Sequence, residues 1–183
     1  MQTWDAIRAR RNVRGYEDRP IPDDALDRIL EAAWRTPSSN NQQAWDFVVV
    51  TGREELRELS KVWRYAVHVA GSAATIALVA PASDDPSARE TFQYDLGQAT
   101  MSIMLAAADQ GIGSCHSAVI DQELARRILG LPADHRCGWL ISLGYPAHRP
   151  LTPIVRPNRR PFHEVVHRAR WRASPCRGRG SRR

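Results

Sequence analysis

Residues 93–110, QYDLGQATMSIMLAAADQ, restrict the fold more than any other stretch of the chain. They predict a long helix in which Met101, Ile103, Met104, Leu105 and Ala108 set apolar side chains almost all the way round. Such a helix is expected to be buried, either under its own chain or between subunits. Gly111-Ile112-Gly113 stops it as a turn. The 183 residues suffice for one domain with a sizeable core, yet three short strands give that domain little with which to cover the helix.

The strands are read from apolar runs. Phe47-Val48-Val49-Val50 is a short β-branched run that predicts a buried strand, Thr75 to Ala80 a second closed by Pro81, and Trp139 to Leu143 a third ended by Gly144-Tyr145-Pro146. Between them lie helices. Thr3 can cap a short one carrying Trp4 and Ile7. Asp23 and Asp24 open an amphipathic one with Leu26, Ile29, Leu30, Ala33 and Trp34 on one face, ended by Pro37. Leu56, Leu59, Val62 and Trp63 mark the next, and Leu124, Ile128 and Leu129 a short one ending at Gly130. The class is α+β or α/β, a small sheet covered by helices. Residues 149–171 carry four prolines and little periodicity, as expected of an ordered arm that wraps a neighbour.

Charge bears on partners. The formal net charge is +6, but seven arginines follow His167 and no acid does; without them the chain has 19 Lys and Arg against 20 Asp and Glu. The basicity belongs to an Arg-, Gly- and Ser-rich tail expected to be disordered, so the body is not a nucleic-acid binder. No apolar run is long enough to span a membrane, and the N-terminus lacks the pattern of a secretory signal. Three cysteines without C-x-x-C spacing suggest neither a disulfide framework nor a zinc site. A reducing cytoplasm is the expected setting.

Four segments carry candidate chemistry. Arg10-Arg11-Asn12-Val13-Arg14 gathers planar guanidinium forks that suit a phosphate, although a solvated basic face would read the same. Pro37-Ser38-Ser39-Asn40-Asn41-Gln42-Gln43-Ala44-Trp45 is a polar loop between helix and strand, where a binding loop or a merely capped connection could sit. Gly111-Ile112-Gly113-Ser114-Cys115-His116-Ser117 lacks the third glycine of a dinucleotide fingerprint. Arg159-Arg160-Pro161-Phe162 is a second basic pair. Cys115 beside His116 is not read as a nucleophile and its base, because neighbours in a strand face opposite ways. Asp95, inside the long apolar helix, is expected to be the buried partner of an arginine.

Taken in order, the N-terminal arginine cluster, the P-S-S-x-N-x-Q-x-W loop, the G-I-G-S-C turn after a buried helix, L-G-Y-P and R-R-P-F-H-E-V-V resemble the nitroreductase family of FMN proteins from Trp4 to Trp171. The resemblance implies an α+β fold, a small mixed sheet covered by helices. It implies an interlocked homodimer with an extended C-terminal arm and two FMN sites at the dimer interface. The FMN-binding domain would span residues 1–171, with 172–183 as the tail. By resemblance Arg10 and Arg159 would bind the FMN phosphate, with Arg160 in reserve. Arg11 and Asn12 would follow the ribityl chain and phosphate, and Arg14 would face the N1–O2 edge of the ring. Ser38, Ser39 and Asn41 would come from the partner to the far edge, and the backbone of His116, Ser117 and Ala118 would pass the N5–O4 edge. A fixed cation at N1–O2 favours reduced flavin, and no catalytic side chain or metal is required.

The implied activity is hydride uptake from NADH or NADPH and ping-pong reduction of a nitroaromatic, quinone or related small acceptor. A deazaflavin variant, or a flavin-binding sensor or carrier without turnover, is the alternative. The chain departs from the family at Asn12, where serine is common, and at Ala44, where proline is usual. It is also short between Trp63 and Ser72, where larger members place a flavin-contacting polar pair.

Overall fold

The structure, a computed structural model, describes residues 1–171; the Arg-rich tail expected to be disordered lies outside them. Two compact units emerge, Met1–Pro153 and the segment that begins at Ile154.

The first unit runs α1 (Thr3–Ala9), α2 (Asp23–Trp34), β1 (Asp46–Val50), α3 (Arg53–Leu59), β2 (Ala74–Pro81), α4 (Pro86–Asp109), β3 (Gly113–Ala118), α5 (Gln122–Leu129) and β4 (His135–Gly144). The four strands form one sheet in the order β1-β2-β4-β3. Every neighbouring pair is antiparallel, which corrects the expected mixed sheet. Among the described residues, parallel pairing is confined to a single bridge, Asn12 to Ser114, where an extended N-terminal segment meets the outer edge of β3.

Helices cover both faces. On one, α2 and α4 pack Leu26, Ile29, Ala33, Leu96, Ala99, Ile103 and Met104 against Ile76, Leu78, Ile141 and Leu143. On the other, Leu56 and Leu59 of α3 and Ala125 of α5 meet Ala77, Cys137 and Leu140. β2 is buried along nearly its whole length because it has a strand on each side and helices above and below.

The long helix begins earlier than its apolar pattern, at Pro86. Asp85 caps it by accepting from Ser87 N at 3.1 Å and Ala88 N at 3.3 Å. Gly111, at φ +72°, lets the chain leave it in the left-handed conformation. One side of α4 is buried on the sheet, whereas Tyr94 and Met101 face outward, 68% and 46% exposed. Trp4 and Ile7 of α1 are also exposed.

Several local expectations are corrected. Thr3 is the first helical residue and Gln2 the cap, with no side-chain cap bond. Trp34 is exposed, because it stands eight residues from Leu26 and the 100° step of a helix swings it off the buried stripe. The helix expected through Trp63 ends at Leu59 and tightens into a 3-10 turn, Ser60–Val62. The strand read as Trp139 to Leu143 begins at His135, and the glycine-rich turn at Gly113 opens a fourth strand.

Among its described residues the second unit has one short helix, α6 (Phe162–Val165). Val155, Phe162 and Trp171 are exposed, so the described part of this segment builds no core of its own.

Candidate functional site

β3 is an edge strand, and the arginine segment is laid along that edge. Val13 N donates to the Ser114 carbonyl at 2.9 Å, and Val13 packs so closely on Gly113 that a Cβ there would sit 2.8 Å from it. Only glycine allows the two backbones to approach in this way. Extended backbone sends alternate side chains to opposite sides. Arg10, Asn12 and Arg14 therefore share one side, and Arg11 and Val13 the other.

Arg10 is half-buried, with Nη1 3.5 Å from Asn12 Oδ1 and 3.9 Å from Met104 Sδ on α4. Neither Arg10 nor Arg14 pairs with a carboxylate among the described residues. Their charge is felt on β3: burial first, then Arg10 and Arg14, hold the His116 imidazolium below its ordinary range. Arg11 does something else. It donates to the carbonyls of Arg149 and Pro150, and burial followed by Arg149 lowers its pKa. It clamps the returning chain, and with Asn12 and Arg14 it lines one shallow pocket.

Along β3, His116 is exposed between buried Cys115 and Ser117, as the alternation of a strand requires. Burial raises the Cys115 thiol, against the opposing pull of Arg14 and Arg10, so no thiolate forms there. Since the Ser114 carbonyl points to the outer edge, the two-residue period directs the backbone groups of His116 and Ala118 to the same edge. The bridge to the N-terminal segment stops at Ser114; beyond it the His116 carbonyl accepts from Cys115 Sγ at 3.7 Å and the Ala118 carbonyl from Ser117 Oγ at 3.1 Å, while the N–H groups of both residues face that edge.

Below β3 is a buried polar cluster that sequence reasoning missed. Tyr16 OH lies 2.6 Å from the Val13 carbonyl and 2.7 Å from Ser142 Oγ. Ser142 Oγ lies 2.7 Å from His68 Nδ1 and 3.1 Å from the Cys115 carbonyl. With its one proton given to that carbonyl, Ser142 can accept from His68 only if Nδ1 carries hydrogen, which fixes the neutral tautomer. Burial, then the charges of Arg14 and His116, push the His68 pKa down to about 4. The available signal was Ser142, a lone hydroxyl in the apolar run Trp139-Leu140-Ile141-Ser142-Leu143.

The polar loop is held from α4. Asp95, 3% exposed, accepts from Ser39 N at 3.1 Å and from Ser39 Oγ at 3.1 Å. Its expected arginine partner is thus replaced by a serine and a backbone N–H. Ser38 Oγ accepts from Gln43 N at 2.9 Å, so both serine hydroxyls shape the loop, while Asn41 is exposed. Asn40, Asn41 and Gln43 all adopt positive φ, at 52°, 54° and 52°. Three left-handed non-glycine residues in four positions are backbone strain of the kind concentrated in binding loops.

Asp95 and Met104 stand nine residues apart on α4, about 13 Å along its axis. Within one protomer, then, the Ser38–Asn41 loop and the Arg10–Arg14 segment occupy separate places. In the second unit Arg159 donates to the adjacent Asn158 carbonyl at 2.8 Å, whereas Arg160 is tied to Glu164 at 3.6 Å.

The fold and this edge-strand arrangement define a known class of protein. The Nitroreductase family matches the chain over residues 7–81 and 60–145. The chain belongs to that family. A provisionally named NADH dehydrogenase/NAD(P)H nitroreductase of Archaeoglobus fulgidus is 32% identical over 169 residues, which cover 90% of this chain and 96% of that one. A Vibrio harveyi NADPH-flavin oxidoreductase is 27% identical over 178 residues, 90% of this chain and 72% of that one. An FMN-dependent nitroreductase of Clostridium difficile has the same fold, with a TM-score of 0.80 over 92% of this chain and 99% of its own, at 24% identity.

Proposed function

We propose that this protein is an FMN-dependent oxidoreductase that takes hydride from NADH or NADPH and reduces a small organic acceptor, a nitroaromatic or quinone, by a ping-pong mechanism. One observation carries this reading: Arg10 and Arg14 lie on one side of a strand edge without carboxylate partners among the described residues, beside the edge-facing backbone N–H groups of His116 and Ala118. Unpaired guanidinium forks suit a phosphate at one end, and the edge offers hydrogen bonds to a planar polar ring at the other. The donor set thus fits FMN, and the Vibrio harveyi relative is named for flavin.

In this reading Arg10 holds the phosphate; of the second basic pair, Arg159 is the phosphate candidate, since Arg160 is occupied by Glu164. Asn12 follows the ribityl chain. Arg14 lies at the N1–O2 edge, where its fixed positive charge favours the reduced ring. The backbone of His116 to Ala118 borders N5–O4, and His116, kept neutral by burial and by Arg10 and Arg14, adds no competing charge. Arg11, bound to the Arg149 and Pro150 carbonyls, supports the segment from behind. The flavin, when bound, supplies the two-electron exchange between nicotinamide and acceptor.

The ring's far edge would be closed by Ser38, Ser39 and Asn41 of a second subunit, because the protomer's own loop is held at Asp95, about 13 Å along α4 from the Met104 that Arg10 meets. The two buried free thiols, Cys115 and Cys137, fit a reducing cytoplasm.

The test is direct. The purified protein is expected to be yellow, with a flavin absorption band, and to oxidise NAD(P)H when an acceptor is present. Arg10→Ala should lower FMN affinity about ten- to a hundredfold, the effect of one lost charge-assisted phosphate contact, without unfolding the protein. A yellow protein that leaves NAD(P)H unoxidised would be a flavin carrier. Full flavin occupancy in Arg10→Ala would place the phosphate elsewhere.

A further inference from the structure

A pocket of about 320 Å³ lies where the first turns of α4 cross the start of β4. Arg89, Phe92, Gln93 and Leu96 form one stripe of α4, spaced three and four residues apart, and line its helical wall. Its sheet wall depends on an irregularity. Leu78 pairs with Trp139 but Val79 pairs with Cys137, so Gly138 is an extra residue, a β-bulge. Arg136 and Trp139 are three positions apart and would face opposite sides of a regular strand; the bulge brings both to the α4 side. Gly138 also keeps the floor open, since a Cβ there would lie 2.6 Å from Leu96 Cδ1.

Every polar group around this space that lacks a partner is a donor. Arg136 Nε is buried and without a hydrogen-bond partner among the described residues. Gln93 Oε1 accepts from Trp139 Nε1 at 2.9 Å, which leaves the Gln93 amide nitrogen to donate. Arg89 stands at the rim, and no Asp or Glu lines the pocket. Two guanidinium forks beside aromatic and aliphatic walls match a planar ring that carries a carboxylate. The volume is at the small end of ligand pockets and suits one ring.

We propose that this pocket binds the electron acceptor, and that the acceptor is a single-ring aromatic carboxylate. Its carboxylate pairs with Arg136 and Arg89, and its ring lies along Trp139 and Phe92. The pocket is continuous with Ala118, which borders N5–O4 in the function proposed above, and the assignment as acceptor site rests on that reading. For a nitroarene the step is balanced when NAD(P)H supplies hydride and solvent one proton: the nitro group becomes nitroso, one oxygen leaves as water, and NAD(P)+ is released.

The flavin-loaded protein decides the matter with benzoate as the probe, followed by tryptophan fluorescence, and with para-nitrobenzoate and its uncharged analogue para-nitrobenzamide as acceptors. Benzoate is expected to bind saturably and to compete with para-nitrobenzoate. Arg136→Gln should weaken benzoate binding, and kcat/KM for para-nitrobenzoate, about ten- to a hundredfold, and should affect para-nitrobenzamide far less. Gly138→Ala, which fills the floor, should reduce benzoate binding with both arginines intact. If benzoate does not bind, or Arg136→Gln affects the two acceptors equally, the pocket is not an anionic-acceptor site. A colourless protein that oxidises no NAD(P)H would overturn the flavin reading instead, and benzoate titration would still report on the pocket.

Discussion

At the scale of single residues, the arginines do their work by what they are denied. Arg10 and Arg14 have no carboxylate partner among the described residues, and their charge reaches their neighbours: after burial, Arg10 and Arg14 lower the pKa of His116, Arg14 and His116 lower that of His68, and at Cys115 the two arginines oppose the rise that burial imposes. His68 gives the clearest consequence. Its folded pKa is about 4, below the ordinary value near 6.5 expected of the unfolded chain. As pH falls, the unfolded chain takes up this proton first, so stability is full at neutral pH and is lost between about 6.5 and 4. The loss should reach about 3 kcal/mol at the acid end of that window. His68→Gln lacks it, and denaturant titrations at pH 7 and pH 4.5 should show a smaller drop for the variant than for the parent. Equal drops would mean that another group titrates.

At the scale of elements, α4 organises the molecule, and its Asp95 is the joint between helix and loop. Asp95→Asn keeps the size but weakens acceptance from Ser39 N and Oγ. It is expected to cost about 1–3 kcal/mol and to loosen a loop already strained at Asn40, Asn41 and Gln43. Faster proteolysis within residues 38–43 would show it, and unchanged cleavage would mean that the strain is held by other contacts. The burial of Asp95 and of one side of α4 was legible in the apolar residues Ile103, Met104 and Ala108, but the expectation of burial nearly all round is corrected within the chain by exposed Met101 and Tyr94. The partner of Asp95 was not, because a backbone N–H leaves no mark in a sequence. β3 was read as a turn since Gly113-Ser114-Cys115-His116 lacks a β-branched run; pairing with β4 and with Val13 makes it a strand. His135 to Gly138 escaped the reading of β4 for a related reason. His135 and Arg136 are polar, and the bulge at Gly138 breaks the alternation on which period-two patterns depend. The arginine segment was legible as a cluster, but the division of labour between Arg11 and its neighbours required the parity of the strand.

At the scale of the whole molecule, Trp4, Ile7, Tyr94 and Met101 expose apolar surface on α1 and α4, two helices that pack together. Apolar patches of this kind on soluble proteins mark association sites. In solution the protein is expected to scatter as a dimer of 20.6 kDa chains, with flavin absorbance following the dimer peak. A monomeric yellow peak would exclude the shared site. The separation of Asp95 and Met104 along α4 carries this further. Each helix would serve two sites, Arg10 beside Met104 for its own subunit and the Asp95-held loop for the other. Damage in the two places is then complementary. A dimer of Arg10→Ala chains and a dimer of Asp95→Asn chains are both impaired, but the hybrid of one chain of each gathers both lesions into one site and leaves the other whole. Mixing two defective proteins, unfolding and refolding them together, would restore flavin binding to one site in each hybrid.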